Sequence, residues 1–354
     1  MRNPDGKHPG PGKKVPLPGF AALIRGSLRA ALRLPLYFTR GDSCIDAIGN
    51  VAIALRRWPE TLIYFLTYVQ LPNYLNPRLY SEKVQWRKLF DRRPELIVFC
   101  DKLAGAEVAQ KRAPNVKLPE LLWSGNDPDG IPLGEIEPPY VIKANNRSGA
   151  TIFVQNPEDI NEEAIRKQCQ AWIEAPPHRR RVYEWGYSQI PTRLLIERSL
   201  PRTDRKGSPA DLKIFVFDGR ATYLYWRDVE LGQQAIHDRS WQRLDWERWD
   251  PLEKGKRELM DGKIPKPAAL KEIILIAEAI AADLDHLRVD LYDIAGDVYF
   301  GEGTIYVSSG HKTWFPSGDE ADPAPSDEIN RKWGEHWTLP ELTKRTKWRR
   351  GIFK

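Results

Sequence analysis

The amino-acid sequence predicts an α+β fold, with antiparallel strands joined by short turns and helices segregated from them. Three observations lead there. The runs YVIKAN, TIFVQ, RLLIERSL, LKIFVF, ATYLYW, LRVDLY and VYFGEGTI are rich in β-branched and aromatic residues, the signature of strands. Asp218-Gly219 separates two of these runs, and an Asp-Gly pair is the turn a tight hairpin requires. The stretch LKEIILIAEAIAADL instead repeats at helical spacing, with Ile273, Ile276, Ala277, Ile280 and Leu284 on one stripe. Alternating β-α-β units, a fixed-period repeat and a GxGxxG turn after a strand do not occur.

In chain order, residues 1–19 are rich in Pro, Gly and Lys and carry too little apolar surface for a core, so a disordered tail is expected. Residues 20–76 read as a basic helical extension. Phe20, Leu23, Ile24, Leu28 and Leu32 recur at helical spacing beside Arg25, Arg29 and Arg33. Such a helix either lies on an anionic membrane or packs on the body with its arginines in water. The next stretch, IDAIGNVAIALRRWPETLIYFLTYVQ, is interrupted by Gly49 and Pro59 and is expected to give core helices. The catalytic body is expected over 77–310, followed by a C-terminal segment, 311–354, with a basic tail.

At 354 residues the chain can bury a full core, and 41% hydrophobic with 29% charged residues is ordinary globular usage. The net charge of +6 suits an anionic partner, and basic residues crowd both ends, with Lys344, Arg345, Lys347, Arg349 and Arg350 at the second. The three cysteines, Cys44, Cys100 and Cys169, have neither disulfide-framework nor zinc spacing, which points to a reducing cytoplasm. No run reaches the roughly 20 apolar residues of a membrane span. A cytoplasmic protein, free or peripheral to the inner face of the membrane, is expected. The thirteen tryptophans are largely interleaved with acids, as in WQRLDWERWD, which does not suit a nucleic-acid stacking groove.

Two places carry chemistry. In YVIKANNRSGATIFV, Lys143 precedes a small-residue loop, Asn145 to Ala150, whose amides can approach phosphate oxygens while the ammonium neutralises charge. An exposed lysine before an ordinary hairpin reads the same way. In LRVDLYDIAGDVYFGEGTI, pairing around Ala295-Gly296-Asp297 sets Asp290 opposite Glu302. Facing carboxylates destabilise a sheet unless neutralised, and Mg2+ with phosphate oxygens would do so. Arg288 and Thr304 fall on the same face. The alternative is a hairpin whose acids pair with arginines.

The ordered series SEKVQWRKLF, DKLAGAEVA, VIKANNRSGAT, RLLIERSL, DLKIFVFDG, HDRSWQRLDW and LRVDLYDIAGDVYFGEGT resembles the TupA-like ATP-grasp family over about residues 70 to 310. The resemblance implies two α+β subdomains holding ATP between them, a hinge near 193–200, and ATP with Mg2+ as cofactors. Position by position it implies Lys143 as a phosphate lysine, Ser148-Gly149 in the phosphate-covering loop, and Glu197 beside adenine and ribose. Lys102, after Asp101, matches the family's D-K element; Asp211 and Lys213 match its D-x-K strand. Arg288, Asp290 and Glu302 match its metal and phosphate end, with Lys143, Lys213 and Arg288 as catalytic cations. His237 and Arg239 match an H-x-R segment that would face the acceptor together with Thr304. An ordinary loop pair fits His237 and Arg239 equally.

The loop departs from the family's usual K-C-N-H-G-S-G-G at Asn146, Arg147 and Ala150, which implies a stiffer loop. Arg198 replaces an acid, Ala106 an arginine, and Gly303 the middle residue of E-L-T. The implied activity is an ADP-forming carboxylate–amine ligase acting through an acylphosphate on a cell-surface polysaccharide or its precursor. A glycan kinase, a glycosyltransferase and, distantly, a nucleic-acid-binding protein are the alternatives.

Overall fold

The computed structural model describes residues 44–175, 183–202, 207–249, 264–311, 313–316, 327–342, 346–347 and 350–351. The expected tail 1–19 and basic helix 20–36 lie outside the described residues. The first helices are α1 (Cys44–Arg56) and α2 (Trp58–Tyr68). Gly49 does not interrupt α1; the break falls at Arg57, with Pro59 in the first turn of α2, where its missing N–H costs nothing. Helices α3 (Tyr80–Phe90), α4 (Glu95–Val98) and α5 (Lys102–Arg112) follow. Asp101 caps α5 by accepting from the Leu103 amide.

A four-stranded antiparallel sheet holds β1 (Leu121–Gly125), β2 (Tyr140–Ala144), β3 (Thr151–Val154) and β4 (Leu194–Arg198) in the order β1-β4-β2-β3. Tyr140, Ile142, Leu194 and Ile196 alternate onto one face, where Ile165 and Cys169 of α6 (Glu162–Glu174) cover them.

The second sheet has six antiparallel strands in the order β11-β10-β5-β6-β7-β8. They are β5 (Asp211–Phe217), β6 (Arg220–Asp228), β7 (Gln233–Asp238), β8 (Arg243–Leu244), β10 (His286–Ile294) and β11 (Asp297–Thr304). Asp218 and Gly219 form the β5–β6 turn, both at positive φ as a two-residue hairpin requires. Alternation divides the sheet. Leu212, Ile214, Val216, Leu287, Val289 and Leu291 pack under α7 (Leu270–Ala281), whose Ile273, Ala277 and Ile280 form the expected stripe. Phe215, Phe217, Tyr223 and Tyr225 face the other way, onto Tyr80 of α3 and onto Trp314, Trp333 and Trp337. Trp314 belongs to β12 (Thr313–Pro316), which pairs with β9 (Trp246–Trp249); Trp333 belongs to α8 (Asp327–Glu335).

The β10–β11 hairpin corrects one step of the register argument. Its turn has two residues, Ala295 and Gly296, with Ile294 opposite Asp297, rather than three. Continued regularly, that pairing would set Gly301 against Asp290. A bulge between Leu291 and Asp290 adds Gly301 to β11, so Asp290 does face Glu302.

Buried polar groups fasten α3 to this sheet. Arg87 donates to the carbonyls of His286 and Ile305 and pairs with Asp285 at 2.8 Å. Burial alone would raise the Asp285 carboxyl; Arg87 and then Arg93 hold it well below the usual range instead.

Candidate functional site

The cavity-facing side of β5, β10 and β11 carries Lys213, Arg288, Asp290 and Glu302 because strand alternation leaves their apolar neighbours to α7. Lys213 Nζ donates to Asp211 Oδ2 and to Asp290 Oδ2, both at 2.7 Å. Arg288 holds Asp290 with two bonds, Nε to Oδ1 at 2.6 Å and Nη2 to Oδ2 at 2.7 Å, and reaches Glu302 Oε1 at 3.0 Å. Thr304 Oγ1 donates to the same Glu302 oxygen at 3.5 Å. The facing acids are therefore neutralised by Arg288 and Lys213.

The electrostatics follow. Burial would raise the Asp290 carboxyl, but Arg288 and then Lys213 keep it below the ordinary range. Burial would lower Lys213, and Asp290 with Asp211 carry it upward instead. Asp211 is shifted up, chiefly by burial.

A cavity of about 340 Å³ opens over this cluster. Lys213, Arg288, Glu302 and Thr304 line one side; Lys102, Arg147 and Ser148 line another. Tyr80, Phe215, Tyr225, Trp314 and Trp333 make an aromatic end. Lys102 Nζ donates to the carbonyls of Ala144 (3.1 Å), Asn145 (3.4 Å) and Arg147 (2.6 Å), tying α5 to the loop after β2. Its ammonium is shifted down, first by burial and against the pull of Glu302.

Lys143 and Glu197 form an ion pair across β2 and β4, and neither lines the cavity wall. They are diagonal neighbours, since Lys143 pairs with Leu195 and Val141 with Glu197. Gly149, at positive φ, has open space where a Cβ would stand. His237 and Arg239 are not brought to the cavity. His237 sits opposite Leu224, on the α7 face, and stacks on Trp241 with ring centroids 4.0 Å apart. Arg239 pairs with Glu278 of α7.

Several lining residues were not among the expected site residues. Arg147, a departure from the usual loop, donates to the Ala175 carbonyl at 2.7 Å and lines the cavity. Arg227 lies opposite Asp211 through the β5–β6 hairpin, and Tyr225 opposite Lys213. The Asp218-Gly219 turn alone carried that signal.

Three carboxylates, Asp211, Asp290 and Glu302, meet two cations here, and the buried Asp211 Oδ1 has no hydrogen-bond partner. Glu302 keeps 41% of its side chain exposed. The surplus of hard oxygen donors fits Mg2+, which takes one or two carboxylates and completes its shell with phosphates and water. Among the described residues no three His, Cys, Asp or Glu converge as a self-sufficient metal cage.

Among solved structures the chain is similar to D-alanine–D-alanine ligase of Bacillus anthracis complexed with ATP (15% identity, 58% of this chain, 55% of that chain, TM-score 0.35). It is also similar to the D-alanine–D-alanine ligase of Helicobacter pylori (10%, 77% and 67%, TM-score 0.38). A third is the L-amino acid ligase of Bacillus licheniformis (13%, 57% and 42%, TM-score 0.34). No curated protein sequence matches the chain. The profile of the family described as TupA-like ATPgrasp matches residues 82–328, from the first turn of α3 into α8. With that match spanning both sheets and the charged cluster on the second, the chain belongs to the TupA-like ATP-grasp family.

Proposed function

We propose that this protein is an ADP-forming carboxylate–amine ligase that works through an acylphosphate on a cell-surface polysaccharide or its precursor. The observation that carries the proposal is the Lys213–Asp290–Arg288–Glu302 cluster beneath a cavity with Lys102 and Arg147 on another wall. Such a site gathers charge around a transferring phosphoryl group and offers no nucleophile–base pair of its own. Residues 77–310 form the catalytic body in this reading, hinged near 193–200.

Asp290 and Glu302 would hold Mg2+, with Thr304 beside them. The ion, when bound, supplies neutralising charge to the phosphate oxygens. Lys143 and Lys102 would meet the phosphates, Ser148-Gly149 would cover them, and Glu197 would sit beside the nucleoside. Asp211 holds Lys213 in place, and Arg288 stands where charge develops on the γ-phosphate. The acceptor carboxylate oxygen bonds to the γ-phosphorus as the bond to ADP breaks. The amine nitrogen then bonds to the acyl carbon, inorganic phosphate leaves, and the amine gives up a proton. Binding energy and electrostatic preorganisation carry both steps.

The test is a screen of carboxylate and amine pairs, uronic acids and amino acids included, read by ADP and phosphate release. ADP and inorganic phosphate formed only when both partners are present support the ligase. ADP with a stably phosphorylated glycan would support a kinase instead.

A further inference from the structure

The segment SEKVQWRKLF lies in α3 and takes no part in the proposed chemistry. Two of its polar side chains, Gln85 and Lys88, are nonetheless buried, and burying an amide or an ammonium is costly unless its hydrogen bonds are met. Both reach Ser309. Gln85 Nε2 donates to the Ser309 carbonyl at 2.9 Å, and Lys88 Nζ donates to Ser309 Oγ at 3.0 Å and to the same carbonyl at 3.3 Å. From α2, Tyr68 donates to the Gly310 carbonyl at 2.9 Å, while Glu60 pairs with Lys88 and meets His311 Nε2 at 2.9 Å. Burial would raise the Glu60 carboxyl, but Lys88 and then His311 hold it below the ordinary range, so it remains an anion facing Lys88.

What these groups grip is a strained turn. Ser308, Ser309 and Gly310 stand in succession at φ of 48°, 55° and 73°. A residue with a Cβ enters this left-handed region at a cost, and two in a row persist where the surroundings fix them. A Cβ on Gly310 would stand 3.0 Å from Gln85 Nε2 and 3.1 Å from the Ser81 carbonyl oxygen, so the turn is seated directly on α3. Its other side is the cavity. Tyr306, Val307 and Ser308 line that cavity just beyond Glu302 and Thr304 in the chain, and Val307 packs with Tyr80, Trp314 and Trp333 at the aromatic end.

We infer that Gln85 and Lys88 are positioning residues: by holding the left-handed turn at residues 308–310 they fix the part of the cavity wall against which the acceptor rests. The acceptor's place follows from the ligase reading, in which Lys102 and Lys143 meet the phosphates and the aromatic end is left to the other substrate. The hold on the turn rests on geometry alone. Stability by itself would be better served by glycine at 308 and 309, since glycine enters the left-handed region freely. Strain kept beside a cavity, and bonded from two helices, points to a wall whose shape matters.

Gln85→Met removes one donor to the turn. Ser309→Gly removes the hydroxyl that Lys88 holds and relieves strain at the same time, so it serves if the first variant does not fold. Hydrogen exchange of the full chain, read on the peptide around residues 305–311, should quicken by roughly tenfold in both. In ADP formation with a carboxylate–amine pair that wild type accepts, KM for the acceptor should rise by roughly tenfold. KM for ATP, and the rise in melting temperature with Mg-ATP, should stay at wild-type values. Unchanged exchange and unchanged acceptor KM would overturn the inference. So would equal rises in both KM values, or a fall in kcat alone that tracks the folded fraction, because either describes general loosening. A wild type inactive with every pair would remove the ligase reading and the acceptor role with it, whereas unchanged exchange would remove the hold on the turn itself, so the two failures are told apart.

Discussion

One guanidinium spans the two facing carboxylates: Arg288 Nη2 donates to Asp290 Oδ2 at 2.7 Å and to Glu302 Oε1 at 3.0 Å. The repulsion that the register alone implies is thus already cancelled, and the two acids are unequal. Asp290 is buried between Arg288 and Lys213, whereas Glu302 is 41% exposed and stands over the cavity.

Asp290→Asn and Glu302→Gln should each abolish ADP formation and differ in stability. Asparagine leaves two buried cations without their shared anion, a change that costs about 3 kcal/mol. Glutamine at 302 should stay within about 1 kcal/mol of wild type, the range of an exposed ion pair. Chemical denaturation with ADP assays on both variants checks this. An active Glu302→Gln enzyme would remove the metal-site assignment.

Mg-ATP should raise the melting temperature, because a ligand that binds only the folded chain stabilises it by about 2.7 kcal/mol at a hundredfold excess over its Kd. The increment should shrink in Glu302→Gln and on chelation with EDTA. A flat melting temperature at millimolar nucleotide would count against the whole reading of the cavity.

His286 gives the protein an acid-sensitive core. It is sealed beside Phe217 and Trp337, Tyr80 hydroxyl meets its Nε2 at 2.9 Å, and Nδ1 lies 2.7 Å from the Val216 carbonyl. Burial, followed by Arg87, pushes its pKa down to about 3. Above the ordinary value near 6.5 it is neutral in both states and titration changes nothing. As pH falls below that value only the unfolded chain takes the proton, and stability is lost. From pH 7 to pH 5 wild type should lose about 2 kcal/mol more than His286→Phe, from roughly 1.4 kcal/mol per pH unit over about 1.5 units. Equal slopes in urea denaturation would show that another group carries the acid sensitivity.

What was legible in the sequence was local. Strand alternation around Lys213 and Asp290, the Asp218-Gly219 turn and the α7 stripe each fit within one element or one hairpin. The aromatic end of the cavity was not, since Tyr80, Phe215, Trp314 and Trp333 come from four distant elements with no shared spacing. β12 is only four residues long and ends in proline, so nothing local announced it. His237 and Arg239 failed to reach the cavity for a parity reason. One position along β7 separates Ile236, which faces the aromatic core, from His237, which faces α7. Their place in the motif could not supply that parity.

The face that Glu302 occupies depends on the β11 bulge. Val298 and Phe300 face α7, and a regular strand with Gly301 in the alternation, instead of in a bulge, would send Glu302 to the same side. A Cβ on Gly301 would stand 2.8 Å from the Tyr292 ring and 3.2 Å from the Asp290 carbonyl oxygen. The first neighbour can turn, but the second is backbone of the strand that carries the cluster. Gly301→Val should therefore cost about 1–3 kcal/mol, as overpacking does. It should also lower ADP formation beyond what that loss of folded protein explains, because relief requires β11 to move at Glu302. Gly296→Ala is the control, with positive φ but open space around its Cβ, and it should lose stability while keeping turnover in the folded fraction. Comparing turnover per folded molecule in the two variants separates backbone strain from displacement of Glu302. Full turnover in folded Gly301→Val would mean that the bulge does not set the position of the carboxylate.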